Sequence, residues 1–407
     1  MNRYAPWEMI FVGYGDWHLW KMDGFRTRSA QLCRFLARSD RLARVYVLNE
    51  PITLRYVRKG YALPRLERFR SLPLRGGLRQ AEEKIFLLDP SRLLVGPPEV
   101  KRLYMLRLVR ELVGRLQTPP ILWIANVHKA YLMEEVPALL RIFDAIDDWE
   151  SVAAYKPFAR QIRSGYDIIN QQADIVFTVS NYLKEKFEKS AKQARVVHLP
   201  NGVDADLFCR PADPPSVRRN ARRREPRVLT YVGVLSERVD LDLIERIAVD
   251  WPQCRIRLVG PISLSPEGER RRRELRPLAN MEWKGLVHHR EIPSILCSSD
   301  VLLIPHKISQ LTLSMDPLKL YEYLTTGLPI VSTPVPPSDQ YGSLLYLGEG
   351  KRFSEQIGAA LEEMYLPGAD ELWQARIQES TRHRWESRIG RIEREIQERL
   401  GTGSVQP

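Results

Sequence analysis

The sequence is poor in cysteine and has no long apolar run. Its 407 residues include four cysteines, and their scattered positions argue against a disulfide framework or a zinc site. We therefore expect reduced thiols and a cytoplasmic protein. Nowhere does the chain approach the run of about 18 apolar residues that a membrane-spanning helix needs. Residues 1–17 contain no apolar run that would predict a secretory signal, so we expect a soluble protein or one bound to a membrane surface.

Positive charge is in excess, with 62 Lys and Arg against 50 Asp and Glu and a formal net charge of +12. Such a balance suits an anionic partner, either nucleotide phosphates, a membrane surface or nucleic acid. Nucleic acid ranks last, because the sequence has no zinc-finger, RRM or basic-zipper pattern and its arginines cluster in predicted loops. Hydrophobic residues make up 44% of the chain, enough for two α/β domains with their own cores.

Short apolar segments alternate with segments of helical periodicity along most of the chain. This alternation predicts the α/β fold class, with parallel sheets and helical crossovers in two Rossmann-like domains. The predicted strands lie at residues 9–13, 45–48, 121–124, 140–143, 175–179, 228–234, 255–260, 281–283, 301–304 and 329–332. Four predicted helices cover residues 28–37, 241–248, 292–297 and 316–327, and a long amphipathic helix covers residues 370–400.

A change in composition separates the two alternating regions. Residues 209–227 are rich in proline and arginine and have no apolar periodicity, which predicts a linker. The predicted organisation is an N-terminal domain at residues 1–208, this linker, a C-terminal domain at 228–369 and a C-terminal helix at 370–407.

The strongest local signals for a ligand site fall within residues 316–327. Asp316 is predicted to cap the helix, with Pro317 at its first position. Because a buried strand precedes it, the helix should begin at the carboxyl edge of a parallel sheet, where such folds bind ligands. Its backbone N–H groups and Lys319 would then bind a diphosphate, and Glu322 on the same face would bind sugar hydroxyls. On spacing alone, an ordinary surface Lys–Glu pair is the better explanation of Lys319 and Glu322. Their placement after a strand and a loop supports the ligand-site interpretation equally well.

The stretch DPLKLYEYLTTGLPIVST, with WKGLVHHREIPSILCSSDVLLIP before it, resembles the donor-binding region of glycosyltransferases of the GT-B architecture. ADIVFTVSNYLKEKF and VVHLPNGVDADLF resemble the end of the N-terminal domain in that superfamily, and YVGVLSERVDLDLI resembles the start of its donor domain. The matching segments run from residue 120 to residue 335. The sequence is most similar to bacterial enzymes that build cell-surface polysaccharides, including the teichuronic-acid biosynthesis type.

The resemblance implies two Rossmann-like domains facing each other across a cleft, with the C-terminal helix crossing back to the N-terminal domain. It implies transfer of a hexosyl group from a UDP- or GDP-sugar to a lipid-linked or polysaccharide acceptor, with no cofactor. A nucleotide-sugar epimerase of the same architecture is the alternative. The DAD motif at residues 204–206 mimics the metal-binding DxD motif of a different glycosyltransferase architecture. Because it follows an Asn-Gly turn, we interpret it as a loop and expect no metal ion.

The resemblance also assigns residues to the donor. Glu322 falls where a glutamate binds the ribose, and Lys319 falls where the diphosphate lies. Arg238 falls near a basic residue that contacts the phosphates, and the main chain at Leu286 and Val287 falls where the nucleobase is held.

One donor-side position departs from the family pattern. Many retaining members carry a second glutamate eight positions before the ribose-binding one, and here that position is Ser314. The missing acid favours an inverting reaction, which needs a general base beside the acceptor hydroxyl.

Candidates for that base follow the strand predicted to end near Phe143, in a run of four acids: Asp144, Asp147, Asp148 and Glu150. By similarity to inverting members we favour Asp147 and then Asp148, with helix capping as the alternative role.

Three further candidates are on the acceptor side. Arg26 and Arg28 follow a glycine-containing loop and would contact an anionic acceptor, unless they are simply solvated. His128, in the loop after a predicted strand, is an additional catalytic candidate. Residues 101–117 form a basic amphipathic segment that predicts contact with the anionic inner face of a membrane. A plain crossover helix on the N-terminal sheet is the better supported alternative for that segment.

Overall fold

The computed structural model describes residues 6–51, 76–91, 97–220, 225–274 and 278–402. The chain divides into two compact units, of which the first comprises Met1–Leu199 and Glu386–Pro407 and the second comprises Pro200–Trp385. The C-terminal segment is therefore part of the same unit as the N-terminal half of the chain. None of the helices in the described ranges is long and apolar enough to cross a membrane.

The first unit is built on a sheet whose strands, within the described residues, follow the order β3-β4-β2-β1-β5-β6-β7-β8. Its neighbouring strands pair in parallel, apart from the antiparallel pair β3 and β4 at one edge. The strands are β1 (Trp7–Val12), β2 (Leu42–Leu48), β3 (Gly77–Gln80), β4 (Ile85–Asp89), β5 (Ile121–Ile124), β6 (Leu140–Ala145), β7 (Ile175–Thr178) and β8 (Arg195–His198). The helices are α1 (Trp17–Met22), α2 (Arg28–Ala37), α3 (Pro98–Val113), α4 (Tyr131–Glu135), α5 (Ala159–Gln172) and α6 (Asn181–Ser190), with 3-10 turns at Val127–Lys129 and Ala153–Phe158.

The second unit contains a parallel sheet in the order β13-β11-β9-β14-β15-β16 and a small parallel pair of β10 and β12. The strands are β9 (Arg227–Val232), β10 (Leu235–Ser236), β11 (Cys254–Val259), β12 (Ile262–Ser263), β13 (Met281–Gly285), β14 (Val301–Ile304), β15 (Ile330–Ser332) and β16 (Tyr346–Leu347). The helices are α7 (Pro215–Asn220), α8 (Leu241–Asp250), α9 (Pro266–Glu274), α10 (Ile292–Cys297), α11 (Gln310–Leu313), α12 (Leu318–Leu324), α13 (Gly350–Glu362) and α14 (Ala369–Thr381). The 3-10 turns are His289–Glu291, Ser338–Tyr341 and Glu363–Tyr365, and α15 (Trp385–Thr402) leads back into the first unit.

The short apolar runs of the sequence become strands that are covered on both faces. In β14, Val301 and Leu303 join one hydrophobic cluster, while Leu302 and Ile304 join another. Successive side chains of a strand point to opposite faces, so the two clusters lie on the two sides of the sheet. This is the burial that a parallel sheet requires and that a continuous apolar run predicts. The predicted α/β class with two parallel-sheet domains is confirmed.

The described part of the predicted linker is packed structure within the second unit. Ala212 is buried, and α7 covers residues that the composition predicts as irregular. Arg218 and Arg227 both donate to Oδ1 of Asp300, at 2.9 and 3.0 Å, so two of the arginines hold this segment against the sheet. Arg219 lies 3.9 Å from Asp370, and the arginines at positions 222–224 lie outside the described residues.

The prediction of one helix over residues 370–400 is wrong, because α14 and α15 are separate and residues 382–384 form a break between them. At the break, the Val203 N–H donates to the His383 carbonyl at 2.8 Å and the Trp385 N–H donates to the Val203 carbonyl at 3.3 Å. The His383 ring also lies 3.1 Å from the Tyr341 hydroxyl. These bonds to distant parts of the chain replace helical ones, and the amphipathic periodicity of the segment does not reveal them.

Three neighbouring strands of the second sheet end at glycines with positive φ. Gly233 follows β9, Gly260 follows β11 and Gly285 ends β13, with φ of 149°, 140° and 65°. A Cβ atom placed on Gly260 would lie 2.0 Å from the carbonyl oxygen of Gly233. Only glycine allows both this backbone conformation and this close approach of two chains. The carboxyl edge of the sheet, which we call the glycine edge, therefore presents main chain without side chains.

We expect Gly260→Ala to destabilise the second unit by about 1–3 kcal/mol, because alanine would be strained at this φ and its methyl group would clash with Gly233. Urea unfolding followed by circular dichroism measures the effect. Gly342→Ala is the matched control, since Gly342 has φ −57° and a Cβ there would meet only Leu347 Cδ1, at 3.8 Å. Equal stability of the two variants would contradict this account of the glycine edge.

Candidate functional site

Lys319 lies against the glycine edge of the second sheet. A Cβ atom on Gly233 would be 2.7 Å from the Lys319 Nζ, so the absence of a side chain at that glycine makes room for the ammonium group. Nζ donates to the Tyr231 hydroxyl at 2.8 Å and lies 3.2 Å from Nε2 of His306. It also stands 4.1 Å from the centroid of the Tyr231 ring, a cation–π distance. The lysine is thus held between one strand, one glycine and one histidine.

Positive charge is concentrated around this lysine. Burial lowers the pKa of Lys319 well below its usual value, Arg238 lowers it further, and Glu322 raises it. Burial also lowers the pKa of His306 well below its usual value, with further contributions from Lys319 and Arg238. His306 is therefore neutral near pH 7. A bound anion would offset the repulsion among these basic groups and favour the charged form of Lys319. Lowered pKa values of neighbouring basic groups are therefore consistent with an anion site.

Arg238 reaches this cluster from the loop between β10 and α8. Its Nε donates to the Ser236 hydroxyl at 3.0 Å, and its Nη1 lies 3.8 Å from the Met315 sulfur. The Lys307 N–H donates to the Arg238 carbonyl at 2.8 Å, which ties the loop to the segment that carries His306. The structure thus brings Arg238 and Lys319 together, and both were candidates on the sequence. His306 and Tyr231 were not candidates, because nothing in their spacing connects them to Lys319.

Glu322 is buried and lies in a hydrogen bond with His289, which was not a site candidate on the sequence. Oε1 of Glu322 is 2.9 Å from Nε2 of His289, and the two side chains are 7% and 5% exposed. His289 begins the 3-10 turn directly after the segment that contains Leu286 and Val287. The bond therefore orients the carboxylate and links it to the predicted nucleobase segment. The two partners are 33 positions apart in the sequence, which is why spacing could not reveal the pair.

The other donor-side candidates differ in accessibility. Leu286 is 50% exposed, whereas Val287 packs against the hydrophobic core. The Gly260 N–H donates to the Gly285 carbonyl at 2.7 Å, so this segment joins the glycine edge. Ser314 is fully buried, and its hydroxyl donates to the Leu311 carbonyl at 2.7 Å. The side chain of Ser314 therefore closes a turn and is not accessible to a ligand in this structure.

The prediction that Asp316 caps the helix at residues 316–327 is wrong. Helix α12 begins at Leu318, and the residue at its N-cap position is Pro317, whose side chain makes no capping hydrogen bond. Asp316 instead accepts a hydrogen bond from the Tyr321 hydroxyl at 2.7 Å and bonds to Asn201 through both its carboxylate and its carbonyl. Asp316 therefore bonds to Asn201, 115 residues away in the sequence, and not to the helix that it was predicted to cap.

In the first unit, the arginines predicted to meet an acceptor are engaged with acids. Arg28 donates to Asp144 from Nε at 3.1 Å and from Nη2 at 2.8 Å, and both side chains are buried. Strand β6 ends at Ala145 and not near Phe143, which places Asp144 inside the strand. Arg26 lies in an ion pair with Asp23 at 2.8 Å. The Arg28–Asp144 pair therefore holds α2 against β6, a structural role.

Asp147 and Asp148, in the loop after β6, have different surroundings. Asp148 is buried, pairs with the Lys186 ammonium at 2.7 Å and accepts a hydrogen bond from the Glu150 N–H at 3.3 Å. These contacts give Asp148 a structural role in a turn, and not the helix-capping role that the sequence analysis names as the alternative, since the N-cap of the next 3-10 turn is Val152. Asp147 is half-buried and stays a prediction as the general base.

His128 is exposed and surrounded by aromatic rings. Its ring meets those of Trp149 and Phe158 edge-on at centroid distances of 5.7 and 6.1 Å. Partial burial lowers its pKa, and the neighbouring Lys129 lowers it further. The DAD motif at residues 204–206 forms a turn, in which Asp204 accepts from the backbone N–H groups of Asp206 and Leu207 at 3.2 and 3.1 Å. Its interpretation as a loop is confirmed.

Comparison with known proteins identifies the domain that carries the glycine edge. The family described as glycosyl transferases group 1 matches residues 226–363. A protein of Bacillus subtilis (strain 168) assigned as a teichuronic acid biosynthesis glycosyltransferase, TuaH, is 29% identical over 203 residues. That match covers 48% of this chain and 50% of the B. subtilis protein, so the chain spans about half the length of this relative.

Solved structures match over nearly the whole chain at low identity. Sucrose-phosphate synthase from Thermosynechococcus elongatus has a TM-score of 0.69 and 15% identity, covering 98% of this chain and 100% of that one. Anabaena HepE in complex with UDP-glucose has a TM-score of 0.64 and 14% identity, covering 96% and 99%. These likenesses establish the fold. Residues 226–363 are thus similar to the glycosyl transferases group 1 family, and the two units have the fold of the GT-B glycosyltransferases.

Proposed function

We propose that this protein is a glycosyltransferase whose second unit binds a nucleotide-diphosphate sugar at the glycine edge. The observation that carries the proposal is the cluster of Arg238, His306 and Lys319 beside Gly233, where burial, with a smaller contribution from the neighbouring basic groups, lowers the pKa values of the lysine and the histidine. A diphosphate would supply the missing negative charge, and glycine main chain lets it approach closely. The group 1 family match over the same residues supports this proposal.

Arg238, Lys319 and Glu322 have distinct chemical roles in the proposed reaction. Arg238 and Lys319 neutralise the diphosphate, first as part of the donor and then as the leaving group, whose negative charge grows as the bond to the sugar breaks. Protein cations would thus do the work that a metal ion does in other enzymes. The Glu322 carboxylate, oriented by His289, accepts hydrogen bonds from the ribose hydroxyls. The main chain at Leu286 and Val287 contacts the base.

The proposed donor is a UDP-hexose, with a GDP-hexose as the alternative. The solved Anabaena HepE structures contain UDP or UDP-glucose, and a trehalose-6-phosphate enzyme of E. coli with the same fold contains UDP-2-fluoro glucose. The proposed acceptor is a growing cell-surface glycan, polymeric or lipid-linked. The support for it is the sequence similarity to a protein assigned to teichuronic acid biosynthesis.

We expect Lys319→Ala and Glu322→Ala each to weaken UDP binding about 10- to 100-fold, the effect of losing one hydrogen bond to a charged group. Isothermal titration calorimetry measures both affinities. UDP should also raise the lowered pKa of Lys319, so binding should take up protons. That uptake is read from the dependence of the binding enthalpy on the ionisation enthalpy of the buffer.

The control for both measurements is Glu355→Ala, which removes an exposed acid on α13 that pairs with Lys351 at 3.7 Å. This variant should bind UDP normally, and Lys319→Ala should abolish the proton uptake. Unchanged affinity in Lys319→Ala and Glu322→Ala would remove the proposed donor site. A binding enthalpy that is the same in every buffer would show that UDP binding does not protonate Lys319.

For the chemical step, we propose inversion at the anomeric carbon with Asp147 as the general base. In such a single displacement the base takes the proton of the acceptor hydroxyl as its oxygen attacks the sugar. Ser314, buried where retaining relatives have an acid, supports a reaction with one carboxylate at the acceptor. Asp148 is already paired with Lys186, which supports Asp147 over its neighbour.

We expect Asp147→Asn to lower kcat by about 10²–10⁴-fold with little change in UDP affinity or melting temperature. Asp148→Asn is the matched control, and it should lower the melting temperature by weakening the contacts to Lys186. Steady-state kinetics, melting curves and NMR of the anomeric configuration of the product provide the three measurements. Near-normal turnover in Asp147→Asn, or a product that keeps the configuration of the donor, would refute the assignment.

We also propose that the protein binds the cytoplasmic face of the membrane through the first turns of α3. Most of the apolar face of this helix packs into the core of the first unit, as in the crossover interpretation; the residues are Met105, Leu106, Val109 and Leu112. Val100 and Leu103 remain 46% and 64% exposed, and the exposed Arg107 nearby is paired with Glu111 at 2.7 Å. Arg102 and Arg110 are paired with Glu135. The proposal therefore rests on two apolar side chains with basic neighbours.

The protein should float with anionic liposomes at low ionic strength, because apolar insertion and attraction to anionic lipids then act together. The double variant Val100→Glu/Leu103→Glu should stay at the bottom of the gradient. Val249→Glu is the control, since Val249 is 60% exposed but lies on α8 of the second unit. If the unaltered protein does not float, or if both variants float equally, α3 is a crossover helix alone.

A further inference from the structure

Five rings gather in the loops at the carboxyl edge of the first sheet, and we call them the aromatic cluster: Tyr14, His128, Trp149, Tyr155 and Phe158. Trp149 is at the centre, stacked on Tyr155 at 5.2 Å with an interplanar angle of 18°. Tyr14 meets the Trp149 ring edge-on at 5.6 Å, and the hydroxyls of Tyr14 and Tyr155 are 3.0 Å apart. These residues follow three neighbouring strands, β1, β5 and β6.

The aromatic cluster extends from the hydrophobic core, to which Trp149 and Tyr155 belong, out to the surface. Tyr14 and Phe158 are 43% and 41% exposed, whereas Trp149 beneath them is 3% exposed. Within the described residues, the buried Nε1 of Trp149 has no hydrogen-bond partner, although a buried indole N–H normally finds one. Rings packed only for stability would be hidden from solvent, whereas Tyr14 and Phe158 are accessible to a ligand. Exposed aromatic rings of this kind are typical of a binding surface.

The groups around the rings indicate which ligand fits. The two tyrosine hydroxyls and the His128 ring, which is neutral near pH 7 because its pKa is lowered, surround aromatic faces with groups that donate and accept hydrogen bonds. Asp147 lies two residues before Trp149 in the same loop. A sugar ring has this same combination, with an apolar face of C–H groups and hydroxyls around its edge. An isoprenoid chain has only the apolar part and would leave these polar groups without partners.

We propose that the aromatic cluster is a subsite for a pyranose ring of the acceptor glycan, which stacks on Tyr14 and Phe158. A ring bound there lies at the loop that carries Asp147, so the subsite selects a sugar, and not the lipid part of the acceptor, for the reacting end. This inference names the acceptor class and rests on the proposed glycosyltransferase function.

Saturation-transfer NMR tests the subsite without any catalysis. The probes are methyl β-glucopyranoside and methyl β-galactopyranoside as sugars and farnesyl phosphate as an isoprenoid. The unaltered protein should transfer saturation to the ring C–H protons of at least one glycoside. In Tyr14→Ala/Phe158→Ala the affinity for that glycoside should fall about 3- to 10-fold for each ring removed. Tyr14→Phe, which keeps the ring, should largely preserve binding.

Tyr365→Ala serves as the control, because Tyr365 is a 41% exposed aromatic residue of the second unit. This variant should bind the glycoside normally. No transfer to either glycoside, equal transfer in the double variant, or transfer only to farnesyl phosphate would overturn the subsite. A thermal-shift titration with UDP on the same samples separates the two proposals. UDP binding without glycoside binding refutes the subsite alone, and glycoside binding without UDP binding refutes the proposed donor site.

Discussion

The burial of Lys319 beside Arg238 is the constraint on which the candidate site depends. Burial and Arg238 both disfavour the charged form of this lysine, and the same forces keep His306 neutral. The arrangement exists because Gly233 has no side chain and leaves room for the ammonium group. An anion that binds at this sheet edge, where main chain is exposed beside Lys319 and Arg238, would favour the charged form of Lys319.

Three acids near the two sheet edges are held by identified partners. Glu322 bonds to His289, Asp144 is held by Arg28, and Asp148 is held by Lys186. The first pair belongs to the proposed donor site, the second fastens α2 to β6, and the third joins α6 to the loop after β6. Pairing each buried carboxylate with a cation or a histidine offsets the cost of removing it from water.

Much of the fold was predictable, because parallel sheets covered on both faces require continuous apolar strands, and such runs are visible in the sequence. Strands β5 and β14 and helices α2 and α10 begin and end where periodicity places them. Lys319 and Glu322 were also accessible to sequence reasoning, since they follow a predicted strand and combine a cation for phosphates with a carboxylate for sugar hydroxyls. Arg238 was named by the family resemblance. The glycines that end β9, β11 and β13 were visible too, although their shared role needs the strand order.

The sequence by itself determined the α/β class, the two-domain organisation and the basic character of one helix start. Only the tertiary structure decided which side chains meet. Asp316 bonds to Asn201, 115 residues away, Arg28 pairs with Asp144 across 116 residues, and His289 reaches Glu322 across 33. The physical reason is that periodicity and capping rules describe interactions within about one helical turn. A buried polar group takes whichever partner the folded chain brings within hydrogen-bond distance.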